Sequence, residues 1–374
     1  MEYFKKYVSN TLAGSGNQLY FGMKEGEIRT GRIFYKIFSG GEYNYSILFS
    51  NILDSTYADG SISHKNLICG SWKIHGARIG KCVKFDESKN ITEMTMSDDG
   101  KCTDITVSEF RELTFNGQSA KQVMPGEFFS SDPIKIGFEK NEYLCLEITF
   151  SGKMIPYHEE SLLPVFVKEN GGWVYSKYMP FAGMIGCDRK VKARAAYLGD
   201  SITQGIGTPL NSYLHWNALY SQKVGEDYSF WNLGLGFGRA NDAAADGAWL
   251  YKARQSDIIF VCFGVNDILQ KMPEEQIRSD LAYITDNLKK AGKKVILQTI
   301  PPFDYAGEDI EKWKRINVYI KTVLKEKADM VFDNTVYLGE AENTHITRFG
   351  GHPNAEGCAV WANALYEETK KIFN

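Results

Sequence analysis

Ala195-Ala196-Tyr197-Leu198-Gly199-Asp200-Ser201-Ile202-Thr203-Gln204-Gly205 passes from an apolar run into a Gly-Asp-Ser turn. The run from Ala195 to Leu198 reads as a buried parallel strand, and helix-like sequence follows from Ser212. A serine on a loop just past the C-terminal end of such a strand sits where open α/β sheets bind ligands. Taken alone, Ser201 would serve equally as a helix N-cap. Its hydroxyl becomes a useful nucleophile only when a base stands close enough to take its proton.

Outward from that turn the chain has two rhythms. From about residue 192 onward, apolar runs alternate with helical stretches. Strands are expected at 193–198, 228–232, 257–263, 293–299 and 329–333. Helices are expected near 212–225, 241–254, 274–291, 309–327 and 354–372. Units of this kind running in one direction predict a parallel five-stranded sheet in a three-layer α/β/α domain. Before about residue 185 the chain reads instead as short strands broken by glycine, asparagine and aspartate. Gly31–Phe38, Tyr45–Ser50 and Tyr143–Phe150 are examples, and turns such as Ser39-Gly40-Gly41 and Asp98-Asp99-Gly100 recur between runs. That pattern predicts an antiparallel β-sandwich of jelly-roll type. The expected division is 1–185 for the sandwich and 186–374 for the α/β domain, with the junction in 178–191, where Pro180, Gly183 and Gly186 stand.

Three more sites follow the ends of other strands, in the zone of Ser201. Asn232-Leu233-Gly234-Leu235-Gly236-Phe237-Gly238 offers backbone N–H groups that a substrate oxygen can approach. Gly264-Val265-Asn266-Asp267 offers the Asn266 side-chain amide, although such an asparagine can also simply hold a turn. Gly350-Gly351-His352-Pro353-Asn354 precedes the last helix, where a proline at the helix start would fix the entry and hold His352 near the sheet top. Together these supply a nucleophile, oxyanion donors and a base.

The order and strand context of these blocks resemble the SGNH (GDSL-type) hydrolase superfamily. The resemblance rests on Gly199-Asp200-Ser201, Gly264-Val265-Asn266-Asp267 and His352-Pro353, and covers about 192–374. It implies Ser201 as nucleophile, His352 as general base, and Ser201 N–H and Asn266 as oxyanion donors. The family's oxyanion glycine falls on Phe237 here, so a neighbouring glycine is expected to take the role: Gly236, with Gly238 as the alternative. Asp200 is expected to be structural. The family's acidic third member falls on Phe349. A Ser-His dyad is therefore expected, its imidazole oriented by a main-chain carbonyl or water. A carboxylate from elsewhere, Asp333 or Glu342, is the alternative. The first half resembles the β-sandwich of two-domain esterases such as carbohydrate esterase family 2, on 110–117 and 124–133.

Composition bounds the partners. A formal net charge of −3 over 374 residues is no basis for drawing nucleic acid by bulk electrostatics. The seven cysteines, Cys69, Cys82, Cys102, Cys145, Cys187, Cys262 and Cys358, form no CxxC pair, so neither a zinc site nor a redox motif is suggested. Cys262, inside an apolar run, reads as a small buried hydrophobe. The segment Met1–Val8 lacks the apolar core of a signal peptide, and no apolar run reaches the length of a membrane span; a cytoplasmic protein is expected. His64, His75, His158, His215 and His345 have no partner at metal-ligand spacing, and His345 is the rival to His352 as base. Trp216, Trp231 and Trp249 suit either a sugar platform or a core, and their place in expected helices and strands favours the core.

The expectation is a cofactor-free serine esterase acting on short acyl esters, acetyl above all, of carbohydrates or oligosaccharides. The deacetylase step follows from the resemblance alone. The alternatives are a general short-chain or lipid acyl esterase or thioesterase and, outside enzymes, a degenerate sugar-binding protein for which Phe349 would mark a decayed triad.

Overall fold

The computed structural model describes residues 1–55, 65–98, 103–339, 346–348 and 351–373. The chain divides into two compact units. One comprises Met1–Leu53 and Leu67–Arg189; the other comprises Asp54–Asn66 and Lys190–Asn374. The main division falls between Arg189 and Lys190. The assignment of 54–66 departs from the expected boundary, which placed that segment in the sandwich.

The first unit is rich in antiparallel strands. One sheet pairs Val8–Ser9, Met184–Cys187, Gly41–Ser50 and Phe128–Ser130 in that order, with Ile134–Phe138 also on Gly41–Ser50. A larger sheet orders Gly172–Tyr175, Val165–Glu169, Arg29–Lys36, Tyr143–Gly152, Trp72–Phe85 and Ile105–Leu113, with Lys121–Val123 also on Trp72–Phe85. Ile33, Ile47, Leu144, Leu146 and Ile148 are wholly or almost wholly buried. Runs such as Tyr143–Ile148 are buried throughout and do not alternate.

The second unit is built on a parallel sheet of five strands: β1 (Arg194–Gly199), β2 (Ser229–Asn232), β3 (Ile258–Cys262), β4 (Lys294–Gln298) and β5 (Met330–Phe332). Their order across the sheet is β2-β1-β3-β4-β5. Strand β3 is buried at every residue, as a parallel strand covered on both faces must be. In chain order the helices are α1 (Ser201–Gln204), α2 (Trp216–Val224), α3 (Ala240–Ala244), α4 (Ala248–Ala253), α5 (Val265–Leu269), α6 (Glu274–Lys290), α7 (Glu308–Thr322), α8 (Thr335–Leu338) and α9 (Ala355–Phe373). The single helix expected over 241–254 is two. The break falls at Asp246, with φ +51, and Gly247. A side chain on Gly247 would collide with the amide of Asn66, whose Oδ1 accepts the Ala248 N–H at 3.2 Å.

Trp216, Trp231 and Trp249 are core residues, each no more than 3% exposed, and Trp216 stacks on Trp361. Cys262 is buried, as are the other described cysteines; Cys102 lies outside the described residues. Among the described residues no helix is long and apolar enough to cross a membrane. No group of metal-ligating side chains occurs among them either.

Candidate active site

Strand β1 delivers the turn that carries Ser201. Asp200 leaves helical conformation and accepts the Ile202 N–H at 3.0 Å, so the aspartate is the N-cap of α1. The capping role that Ser201 might have filled is thus taken by its neighbour, and the serine hydroxyl is left for another partner. Gly205, with φ +119, closes the single turn by donating its N–H to Ser201 O at 2.9 Å. As the first residue of α1, Ser201 presents an N–H with no partner inside the helix.

The partner of the hydroxyl is His352. Ser201 Oγ and His352 Nε2 lie 2.8 Å apart. The histidine arrives in a two-residue strand, His352–Pro353, paired antiparallel to Thr347–Arg348. Pro353 does not start the following helix, as the sequence suggested. Asn354 does so, its Oδ1 accepting the Gly357 N–H at 2.9 Å. Phe303 meets the imidazole edge-on, with ring centres 5.1 Å apart. From the other direction the backbone at Gly207, φ +103, comes so near that a Cβ there would stand 2.4 Å from Pro353 O and 3.0 Å from His352 Cβ. Glycine is required at that approach.

The loop after β2 is fixed by side chains that the sequence reading did not single out. Asn232 Oδ1 accepts the Gly234 N–H at 2.9 Å, and Gln204 Oε1 accepts the Gly236 N–H at 2.6 Å. Gly238 N–H donates to Leu235 O at 3.0 Å. The expectation that Gly236, or else Gly238, presents a disengaged N–H to substrate is therefore corrected, since both donate within the protein. Between them Phe237 adopts φ +60, left-handed backbone that ordinarily favours glycine. No sequence signal marks Gln204 for this role, because its partner stands 32 residues away.

Asn266 enters from the first turn of α5 and is 9% exposed. Its Nδ2 donates to Gly238 O at 2.9 Å, and the second amide hydrogen is left over. The next residue, Asp267, accepts the N–H groups of Ala240 and Asn241 at 3.0 and 3.4 Å. Burial pushes the Asp267 carboxyl up to about 7 against the pull of those two N–H groups. Burial likewise pushes Asp200 up to about 7, and the nearby Asp267 adds to the rise.

The alternative acids fare differently. Asp333 accepts from Lys321 Nζ at 2.8 Å, from Thr335 Oγ1 at 2.6 Å and from Thr299 Oγ1 at 3.2 Å. That carboxylate is engaged in an ion pair and at the start of α8. Glu342, Phe349 and the rival base His345 lie outside the described residues, as does His64. Of the remaining histidines, His158 and His215 are buried, and His75 is half-buried against Ser151 Oγ at 2.8 Å.

Residues 197–360 match the model of the GDSL-like Lipase/Acylhydrolase family. No curated protein matches the chain. Among solved structures, a member of the lipolytic protein G-D-S-L family from Veillonella parvula is similar at 23% identity and TM-score 0.42, covering 48% of this chain and 98% of its own. The psychrotrophic esterase EstA from Pseudoalteromonas sp. is similar at 16% identity and TM-score 0.39, covering 48% and 98%. An acetyl xylan esterase is similar at 19% identity and TM-score 0.39, covering 47% and 98%. The Gly-Asp-Ser turn at the end of β1 and the histidine that meets its serine fall within the matched span. Residues 197–360 are a domain of the GDSL-type lipase/acylhydrolase family.

Proposed function

We propose that the chain is a serine esterase that removes short acyl groups, acetyl above all, from carbohydrate or oligosaccharide esters. The observation that carries the reading is the 2.8 Å approach of Ser201 Oγ to His352 Nε2 at the C-terminal edge of the sheet. Ser201 Oγ attacks the ester carbonyl carbon while its proton passes to His352 Nε2. The resulting oxyanion takes hydrogen bonds from Ser201 N–H and the spare Asn266 amide hydrogen. Collapse breaks the bond to the alcohol oxygen, which leaves with the imidazolium proton. Water, deprotonated by His352, then attacks the acyl-enzyme, and the acid departs as Ser201 regains its proton. These steps need no metal or organic cofactor.

The carbohydrate assignment draws on the likeness of residues 110–117 and 124–133 to the sandwich of two-domain carbohydrate esterases. Wild type and Ser201→Ala are compared on p-nitrophenyl acetate, and acetate release is then followed on acetylated xylo-, manno- and gluco-oligosaccharides. Loss of at least about a thousandfold in the variant, with acetate freed from one sugar series, is the expected result. Turnover surviving in Ser201→Ala sinks the nucleophile; preference for long acyl chains sinks the substrate class.

A further inference from the structure

The chain up to Leu53 and again from Leu67 belongs to the first unit, whereas Asp54 and Ser55, and Lys65 and Asn66, at the two ends of the intervening segment, belong to the second. These ends are bonded deeply. Asp54 Oδ2 and Lys252 Nζ form an ion pair at 2.5 Å, with side chains 0% and 1% exposed. Ser55, itself wholly buried, donates through Oγ to Asp242 Oδ2 at 2.7 Å. Asn66 accepts the first N–H of α4, and Lys65 Nζ donates to Asn241 Oδ1 at 2.7 Å.

Asp242 is where this segment reaches the site. Its buried carboxylate also takes Arg239 N–H at 3.1 Å, Nε at 3.1 Å and a terminal guanidinium nitrogen at 2.6 Å. The other terminal nitrogen of Arg239 donates to Gln270 Oε1 at 3.0 Å, and Gln270 caps the C-terminus of α5, the helix of Asn266. From the opposite side, Asn266 donates to Gly238 O while Asp267 holds the N–H groups of Ala240 and Asn241. Residues 238–242 are thus bonded to α5 on one flank and to Ser55 and Lys65 on the other. An amide that must meet a developing oxyanion is useful only if its support leaves it no slack.

We propose that Ser55, acting through Asp242 and Arg239, is a positioning residue for the Asn266 amide. The inference rests on the esterase reading above. It makes a residue from early in the sequence a requirement for turnover by residues that all lie beyond 200. The Asp54–Lys252 pair anchors the chain beside Ser55, and Ser55 transmits the placement.

The test compares Ser55→Ala, Ser55→Cys and Ser55→Thr in the full chain. With p-nitrophenyl acetate, Ser55→Ala is expected to lower kcat on the order of tenfold while KM stays within about twofold. Ser55→Thr, which keeps the hydroxyl, restores most of the loss, and Ser55→Cys, a weak donor, falls between. Amide hydrogen exchange at residues 238–241 quickens in Ser55→Ala. Unchanged kcat in folded Ser55→Ala, or a rise in KM alone, overturns the proposal. If Ser55→Ala does not fold, the Cys and Thr variants decide by the same split. If the wild type hydrolyses no ester, the esterase reading is what fails. The positioning claim then stands or falls on the exchange rates, and equal rates in wild type and variant reject it.

Discussion

Gln204 Oε1 accepts the Gly236 N–H at 2.6 Å, tying the loop after β2 to the turn that carries Ser201. Gln204 is 2% exposed, so the bond is made away from water. Replacing Gln204 by alanine leaves a buried N–H without its acceptor, at a cost of about 1–3 kcal/mol. Gln204→Ala is therefore expected to melt lower than wild type, and Gln204→Glu, which keeps an acceptor, to lose less when it is protonated at low pH. A Gln204→Ala protein as stable as wild type would show that the contact contributes nothing.

In the proposed esterase reaction Asn266 holds charge that exists only in the transition state. Asn266→Ala is expected to lower kcat by roughly 10²–10³ with little change in KM, the effect of losing one oxyanion donor. The variant also gives up the bond to Gly238 O, so stability should be measured alongside. A loss confined to KM would assign the amide to ground-state binding.

How far the sequence could be read depended on whether the deciding contact was local. The strands of the second unit were legible because runs such as Ile258–Cys262 are apolar without interruption, and a strand buried on both faces leaves no other pattern. Ser201 and His352 were legible as types in a turn and before a helix, although the 2.8 Å contact between them spans 151 residues. Three features were not. The helix expected over 241–254 is broken where Asn66 takes the Ala248 N–H from 182 residues away. Gly236 was chosen because glycine exposes its N–H, and only the fold shows Gln204 already occupying it. The segment 54–66 has ordinary loop composition, and its described ends are bonded to partners far along the chain, such as Lys252, 198 residues from Asp54.

Asp333 is bonded to Lys321, Thr335 and Thr299, and its carboxyl sits below the usual carboxylate range: burial acts to raise it, but those bonds, that of Lys321 foremost, outweigh it. Asp333→Ala is accordingly expected to cost stability and leave kcat near wild type. Glu342→Ala is expected to leave kcat near wild type as well, as a Ser-His dyad requires. His352→Ala, by contrast, should approach the loss expected of Ser201→Ala. A drop in kcat for either acidic variant rivalling that of His352→Ala restores a triad with a relocated acid.

Asp200 and Asp267 contribute to the pH response of the fold. Each is wholly buried, and each carboxyl is pushed from an ordinary 3.8 up to about 7. For a raised acid the sign is definite. Between about 4 and 7 the folded chain keeps a proton that the unfolded chain has lost, so stability falls as pH rises through that window and levels off above it. Below about 4 both states are protonated and the groups contribute no slope. Asp200→Asn keeps a side-chain oxygen to cap Ile202 N–H while removing the charge. The variant is expected to match wild type near pH 4 and to exceed it at pH 8 by on the order of 1 kcal/mol or more. Part of the slope stays, because Asp267 remains ionisable, and relief of its repulsion with Asp200 lets it ionise at lower pH. Urea unfolding at both pH values measures the difference. If the Asp200→Asn variant is less stable than wild type at pH 8, or loses stability with pH as steeply, then Asp200 is already charged in the fold and held there by the N–H groups of α1.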